Sequence, residues 1–182
     1  MNCMIIPGNG NTDISENWFL YVKQSLEAMG LHVIAKNMPD PVLARKSFWI
    51  PFIEKELGTT DAILIGHSSG AVAILRYLEN HRAKGAILVG ACHTDLGDEN
   101  ERLSGYFSDP WQWKKIKRNA DWIVQFASID DPYIPIEEAR HIHDELNTEY
   151  HEYADQGHFG GDVHKTEFPE IIQIIKTKLQ NV

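Results

Sequence analysis

The chain is short of cysteine, of basic charge and of long hydrophobic runs, and each shortage excludes a class of protein. Two cysteines, Cys3 and Cys92, among 182 residues cannot build a disulfide framework and suit a reducing compartment. Cys3 falls in the first apolar run and Cys92 just after the fourth, where small packing residues are expected. Seventeen Lys and Arg against 26 Asp and Glu give a net charge of −9 and a pI near 5.4. That balance argues against a nucleic-acid or anionic-membrane partner, either of which wants a basic stripe. No stretch approaches a membrane-spanning length. The first residues, Met-Asn-Cys-Met-Ile-Ile-Pro, already read as a strand and lack the basic region and apolar run of a signal peptide, so a cytoplasmic protein is expected. Repeats, linkers and low-complexity tracts are missing too. The length fits one domain over 1–182, large enough to bury a substantial core.

What is present is an alternation. Short apolar runs at Cys3–Ile6, His32–Ala35, Ala62–Ile65, Ala86–Val89, Ile123–Phe126 and, more weakly, Tyr150–Tyr153 read as strands. Helical patterns lie between them at about Trp18–Met29, Ser47–Leu57, Ser69–His81 and Ile136–Leu146, with a last one at Glu167–Leu179. Strands apolar on both faces and separated by helices predict an α/β fold, a mostly parallel sheet with helices on both sides. One irregular stretch, Ala91 to about Pro110, is rich in charge and glycine and leads into Trp111 and Trp113. An excursion of that length is usually functional, and 91–113 is read as lid-like.

The run Asp61-Ala-Ile-Leu-Ile enters Gly66-His67-Ser68-Ser69-Gly70, and Ala71-Val-Ala-Ile-Leu-Arg-Tyr-Leu follows at once. A G-x-S-x-G set between a strand and a helix is the pattern of a nucleophile elbow. The serine sits on a strained turn, and side chains two residues to either side would strike neighbouring backbone, which glycine avoids. The pentapeptide alone is short enough to arise by chance as a plain turn. Its flanks are what give it weight.

A serine hydroxyl needs a base, and the base needs a carboxylate to fix its tautomer. Behind this kind of elbow the partners follow in the order Ser, Asp or Glu, His, each after a later strand. The run ending at Phe126 leads into Ser128-Ile-Asp130-Asp131-Pro132-Tyr-Ile-Pro135, which offers two carboxylates. Asp131 is selected because Pro132 holds its backbone extended. Asp130 is the reserve, and either one is also a natural cap for the helix starting near Ile136. Of nine histidines, His158 alone has both the chain order and a loop position, in Gly157-His158-Phe159-Gly160-Gly161. His67 is expected to pack or hydrogen-bond locally. The oxyanion needs two amide donors: the N–H of Ser69, and one from the loop Pro7-Gly8-Asn9-Gly10-Asn11, where Asn9 leads and Gly10 is close behind. That loop matches neither phosphate-cradle spacing.

These residues together resemble a known family, the retinoblastoma-binding-protein-9 type of small serine hydrolase in the α/β-hydrolase superfamily. The likeness rests on Ile6-Pro-Gly-Asn-Gly10, Ala35-Lys-Asn-Met-Pro-Asp-Pro41, Ile65-Gly-His-Ser-Ser-Gly70, Asp95-Leu-Gly-Asp-Glu-Asn-Glu-Arg102, Ser104-Gly-Tyr-Phe107, Pro110-Trp-Gln-Trp113 and Gly157-His-Phe159. The resemblance covers nearly the whole chain. It implies a triad of Ser68, Asp131 and His158, and a compact three-layer fold lacking the first two strands of larger relatives. It also implies a six-stranded sheet in the order 2-1-3-4-5-6. One departure matters. The family's binding of the retinoblastoma protein is ascribed to an L-x-C-x-E segment before the elbow strand. Here that stretch is Leu57-Gly-Thr-Thr-Asp61, and no L-x-C-x-E occurs elsewhere, so that partner is not carried over.

The expected activity is hydrolysis of a small ester or amide, on a small-molecule or short peptide-like substrate, with no cofactor. Gly10 and the aromatics Trp18, Tyr106, Phe107 and Trp111 are candidate pocket residues, core packing being the alternative for each aromatic. A protein-interaction role on the same fold is the competing reading, and an intact triad argues against it. A metal hydrolase built on His158, Asp162 and His164 lacks ligand spacing such as H-E-x-x-H.

Overall fold

Alternation along the strands decides how the layers form. In a computed structural model, which describes residues 1–180, β1 (Asn2–Ile6), β2 (His32–Ala35), β3 (Ala62–His67), β4 (Gly85–Val89), β5 (Ile123–Ser128) and β6 (Glu149–Tyr153) form one sheet. Its order is β2-β1-β3-β4-β5-β6, and every neighbouring pair is parallel. Successive side chains point to opposite faces. Met4, Ile6, Leu64, Ala86 and Leu88 therefore join one core, and Cys3, Ile5, Ile63, Ile65, Ile87 and Val89 join the other.

Helices cover both faces. On the first lie α2 (Lys46–Leu57), α3 (Ser69–Leu78), α5 (Trp113–Arg118) and α6 (Ile136–Leu146), contributing Trp49, Ile53, Ile116 and Ile142. On the second, α1 (Phe19–Ala28) and α7 (Pro169–Gln180) contribute Phe19, Val22, Leu26, Ile171 and Ile175. All ten residues of α3 are buried, which accounts for its apolar sequence on every side. The outer strand β6 is half-exposed and carries charge. Glu149 pairs with Lys178 and Glu152 with Arg140, a composition that discourages further strand pairing at the edge.

Boundaries differ from the sequence reading by at most three residues. Two short helices, however, were not revealed by periodicity: α5, which begins at the end of the excursion, and, within it, α4 (Glu99–Ser104). Six residues are too few for a stripe, but its ends carry local signals. Asp98 caps it by accepting from the N–H groups of Asn100 and Glu101, and Gly105 ends it at φ 78°. Because the chain runs from β1 out to β2 and then back to β3, strand order reverses between β1 and β3. Open α/β sheets form their ligand crevice at the carboxyl ends beside such a point.

Candidate active site

Ser68 sits at that crevice, between the last residue of β3 and the first of α3. Its backbone is left-handed, φ 55° and ψ −124°, and its N–H donates to the Val89 carbonyl at 2.8 Å. The flanking glycines are sterically required. A Cβ on Gly66 would stand 2.5 Å from the Gly70 carbonyl oxygen and 2.6 Å from the Ala71 nitrogen, and one on Gly70 would collide with the Ile6 carbonyl. These obstacles are backbone, so nothing yields.

The loop after β5 presents Asp131 and the loop after β6 presents His158. The imidazole Nδ1 lies 2.7 Å from Asp131 Oδ2, with the two side chains only 8% and 3% exposed. A carboxylate accepts only, so Nδ1–H donates and Nε2 stays clear of that bond. Asp131 is itself oriented: Oδ1 accepts from the N–H groups of Tyr133 and Ile134 at 2.9 and 3.0 Å. Asp130 points elsewhere. It accepts from the Ser128 hydroxyl and from the Gly157 N–H, tying the two loops together. The Ser128 bond holds its carboxyl below the usual carboxylate range. His158 is fixed by more than its carboxylate. Its N–H donates to Asp162, and Gly90 (φ 58°) lies so close that a Cβ there would be 3.0 Å from the imidazole Cε1. Asp162 is thus occupied by the backbone, and no group of three or more His, Cys, Asp or Glu among the described residues is disposed to hold a metal ion.

His67 reaches much farther than the local contact expected of it. Its Nε2–H donates 2.7 Å to the carbonyl of His158, 91 residues away. Burial, and then repulsion from His158, push its pKa down to about 3, so the ring stays neutral and its Nδ1 is buried without a partner. Chain order carries no hint of this tie. The packed histidine immediately before Ser68 is the signal it leaves.

The loop after β1 approaches from the opposite side. A Cβ on Gly8 would come 3.2 Å from Ser68 Cβ, so Gly8 lets the backbone reach Ser68. Asn9 is anchored through its side chain, with Nδ2 donating to Glu101 Oε1 at 2.7 Å and its carbonyl accepting from the Thr12 hydroxyl. Ser68, Ser69, His158, Gly8, Asn9 and Gly10 all line one cavity of about 640 Å³.

The aromatic candidates do not line it. Trp18 is fully buried behind the site, its indole N–H donating to the Phe159 carbonyl and its ring edge-on to His67. Tyr106 is fully buried too. Phe107 and Trp111 pack against the core under α3, with the Arg76 guanidinium 3.6 Å above the Trp111 ring. Burying large aromatic area outweighs leaving it to face solvent in a cavity. The excursion lines the cavity instead through its first half, by Cys92, Leu96, Asp98, Asn100 and Glu101. No helix of the described residues is long and apolar enough to cross a membrane.

Comparison with known proteins agrees with this architecture. A family model described as "Serine hydrolase" matches residues 3–177. The chain is 49% identical over 179 residues to "Serine hydrolase RBBP9" of Rattus norvegicus, covering 97% of this chain and 94% of that protein. It is 26% identical to "Putative hydrolase YdeN" of Bacillus subtilis, covering 88% and 87%. The crystal structure of the B. subtilis ydeN gene product has a TM-score of 0.89 at 25% identity and covers 98% of both chains. Est1E from Butyrivibrio proteoclasticus, with bound ferulic acid, shares the fold at a TM-score of 0.74 and 13% identity, covering 99% and 88%. With a family match over nearly its whole length and an α/β-hydrolase sheet beneath it, the chain belongs to the serine hydrolase family and is a hydrolytic enzyme.

Proposed function

We propose that the enzyme cleaves a small ester or amide bond through an acyl-enzyme formed on Ser68. The observation that carries this reading is the pairing of His158 with buried Asp131 at 2.7 Å at the wall of the cavity into which the strained Ser68 turn projects. In this scheme the Ser68 oxygen attacks the carbonyl carbon while His158 Nε2 takes its proton. The carbonyl electron pair moves onto oxygen, and the backbone N–H groups of Ser69 and Asn9 stabilise it. The intermediate collapses, and His158 returns the proton to the departing alcohol or amine. Water then repeats the sequence on the acyl-enzyme. Asp131 fixes the tautomer throughout.

The walls speak to the substrate class. Glu16, Asp98 and Glu101 face the cavity, and its lining contains no Lys or Arg. Tyr133 and Ile134 supply an apolar side. Such a lining favours a compact acyl group carrying an amine. Fluorophosphonate labelling tests the nucleophile: the wild type is expected to label at Ser68, and Ser68→Ala is expected to lose the label and about 10⁴-fold or more in kcat. An unlabelled, well-folded wild type would exclude the mechanism. A panel of chromogenic acyl esters and aminoacyl amides then reads the substrate class.

A further inference from the structure

The loop that carries Asn9 is shaped by its hydrogen bonds, among them one from the Thr12 hydroxyl to the Asn9 carbonyl at 2.7 Å. It contains Gly8 and Gly10, and both Gly10 and Asn11 have positive φ, 68° and 67°, so local preference alone does not select its conformation. Its far end is tied to the segment before α2: Gly10 N–H donates to Val42 and Asn11 N–H to Pro41. Its near end, at Asn9, is tied to the excursion. Among the described residues, the Asn9 Nδ2 to Glu101 Oε1 bond at 2.7 Å is the side-chain hydrogen bond that joins the two segments. Glu101 is well placed for such a duty. It lies on α4, whose outward residues Arg102 and Leu103 are exposed, and Asp98 caps its own N–H. The excursion behind it is held at both ends. Glu138 accepts from His93 N–H, Thr94 N–H and the Thr94 hydroxyl, and Arg76 donates to the carbonyls of Tyr106 and Asp109.

We propose that Glu101 is a positioning residue: by holding the Asn9 side chain it fixes the neighbouring peptide N–H toward the oxyanion, so the excursion sets the geometry of the oxyanion pocket. This rests on the Ser68 acyl-enzyme reading. A carboxylate beside developing negative charge is electrostatically unhelpful, so its value there is geometric. Burial raises the Glu101 carboxyl above its usual range, a cost consistent with a side chain held for its acceptor oxygen.

The test separates geometry from charge. Steady-state kinetics on a neutral acyl ester are measured for Glu101→Gln, Glu101→Asp and Glu101→Ala, normalised to the sites that fluorophosphonate labels. Gln keeps the acceptor at the same reach and is expected within about threefold of wild type in kcat. Asp is a methylene short, and Ala has no acceptor. Both are expected to lose about 10- to 100-fold in kcat, with KM within about threefold. The rate of labelling should fall in parallel. A general loss of stability would reduce the number of labelled sites without changing kcat per site. If Ala does not fold, the comparison of Gln with Asp decides. Wild-type kcat in both Ala and Asp would overturn the proposal. So would a Gln variant that loses kcat on the neutral ester as far as Ala does, since the charge rather than the acceptor oxygen would then be what counts. Absence of label on the wild type would instead overturn the Ser68 reading.

Discussion

The elbow at 66–70 and the excursion at 91–113 face each other across one cavity, yet they are built by opposite means. The elbow is fixed by contacts between backbone atoms a few residues apart and by the close approach of β1, and a single added methyl has nowhere to go. The excursion is fixed by polar side chains that reach it from distant elements: Arg76 in α3, Glu138 in α6 and, from within, Glu101 to the β1 loop. Short-range sterics leave a signature in five consecutive residues. Long-range latches leave none, because an arginine in an apolar helix and a glutamate on an amphipathic one look alike whether or not they hold a loop.

The sharpest way to break this contrast is a methyl group in the elbow. Gly70→Ala puts a Cβ into the Ile6 carbonyl, and separating β1 from α3 disrupts the sheet at its centre. A loss exceeding about 5 kcal/mol is expected, read as absence of a cooperative thermal transition. A folded Gly70→Ala of wild-type melting temperature would show that the elbow is not sterically closed.

The second prediction is aimed at the latch. Arg76 and Glu79 form a 2.6 Å pair only 3% and 8% exposed, and Glu79 also accepts from the Gln112 N–H. Arg76→Met frees the excursion and strands a buried carboxylate, at a cost of about 3 to 5 kcal/mol. Adding Glu79→Met removes the stranded charge and should recover part of that stability in a denaturant melt. The sheet should survive, and proteolysis should begin within 91–113. Cleavage elsewhere first would mean that the latch supports the core rather than the excursion.

The smallest effect lies at the seam between the elbow and the His158 loop. His67 has a folded pKa of about 3, below its ordinary value near 6.5, so the unfolded chain takes up a proton that the folded one refuses. Stability is complete above pH 6.5 and falls as the pH drops toward 3, by about 3 kcal/mol at pH 4 from this group. His67→Gln keeps a donor for the His158 carbonyl and removes the titration. Its urea midpoint should therefore depend less on pH over that window, and an unchanged slope would assign the acid sensitivity to other groups.

Much of this molecule was legible. Short apolar runs gave the six strands, and the order Ser, Asp, His at the ends of β3, β5 and β6 led to Ser68 and His158, which line one cavity, and to Asp131, which pairs with His158. The choice between Asp130 and Asp131 rested on Pro132, and the structure shows the two carboxylates turned to different tasks. Legibility ended at aromatic side chains. Trp18, Tyr106, Phe107 and Trp111 suggest a pocket by their chemistry, but a ring's fate is settled by which apolar surface it can cover. That surface exists only after α3 and the sheet have come together. The donors and acceptors of His67, Arg76 and Glu101 were invisible for the same reason.

Helix α3 also acts as a ruler. Ser68 stands at its start, and Arg76, the anchor of the excursion, lies eight residues along, about 12 Å at 1.5 Å per residue. The span between Ser68 and the Arg76 anchor is therefore counted out in helical turns rather than in loop length. One residue inserted between them would swing the guanidinium about 100° around the axis, away from the carbonyls of Tyr106 and Asp109. A longer excursion would leave that span unchanged, whereas an insertion in this stretch of helix would not.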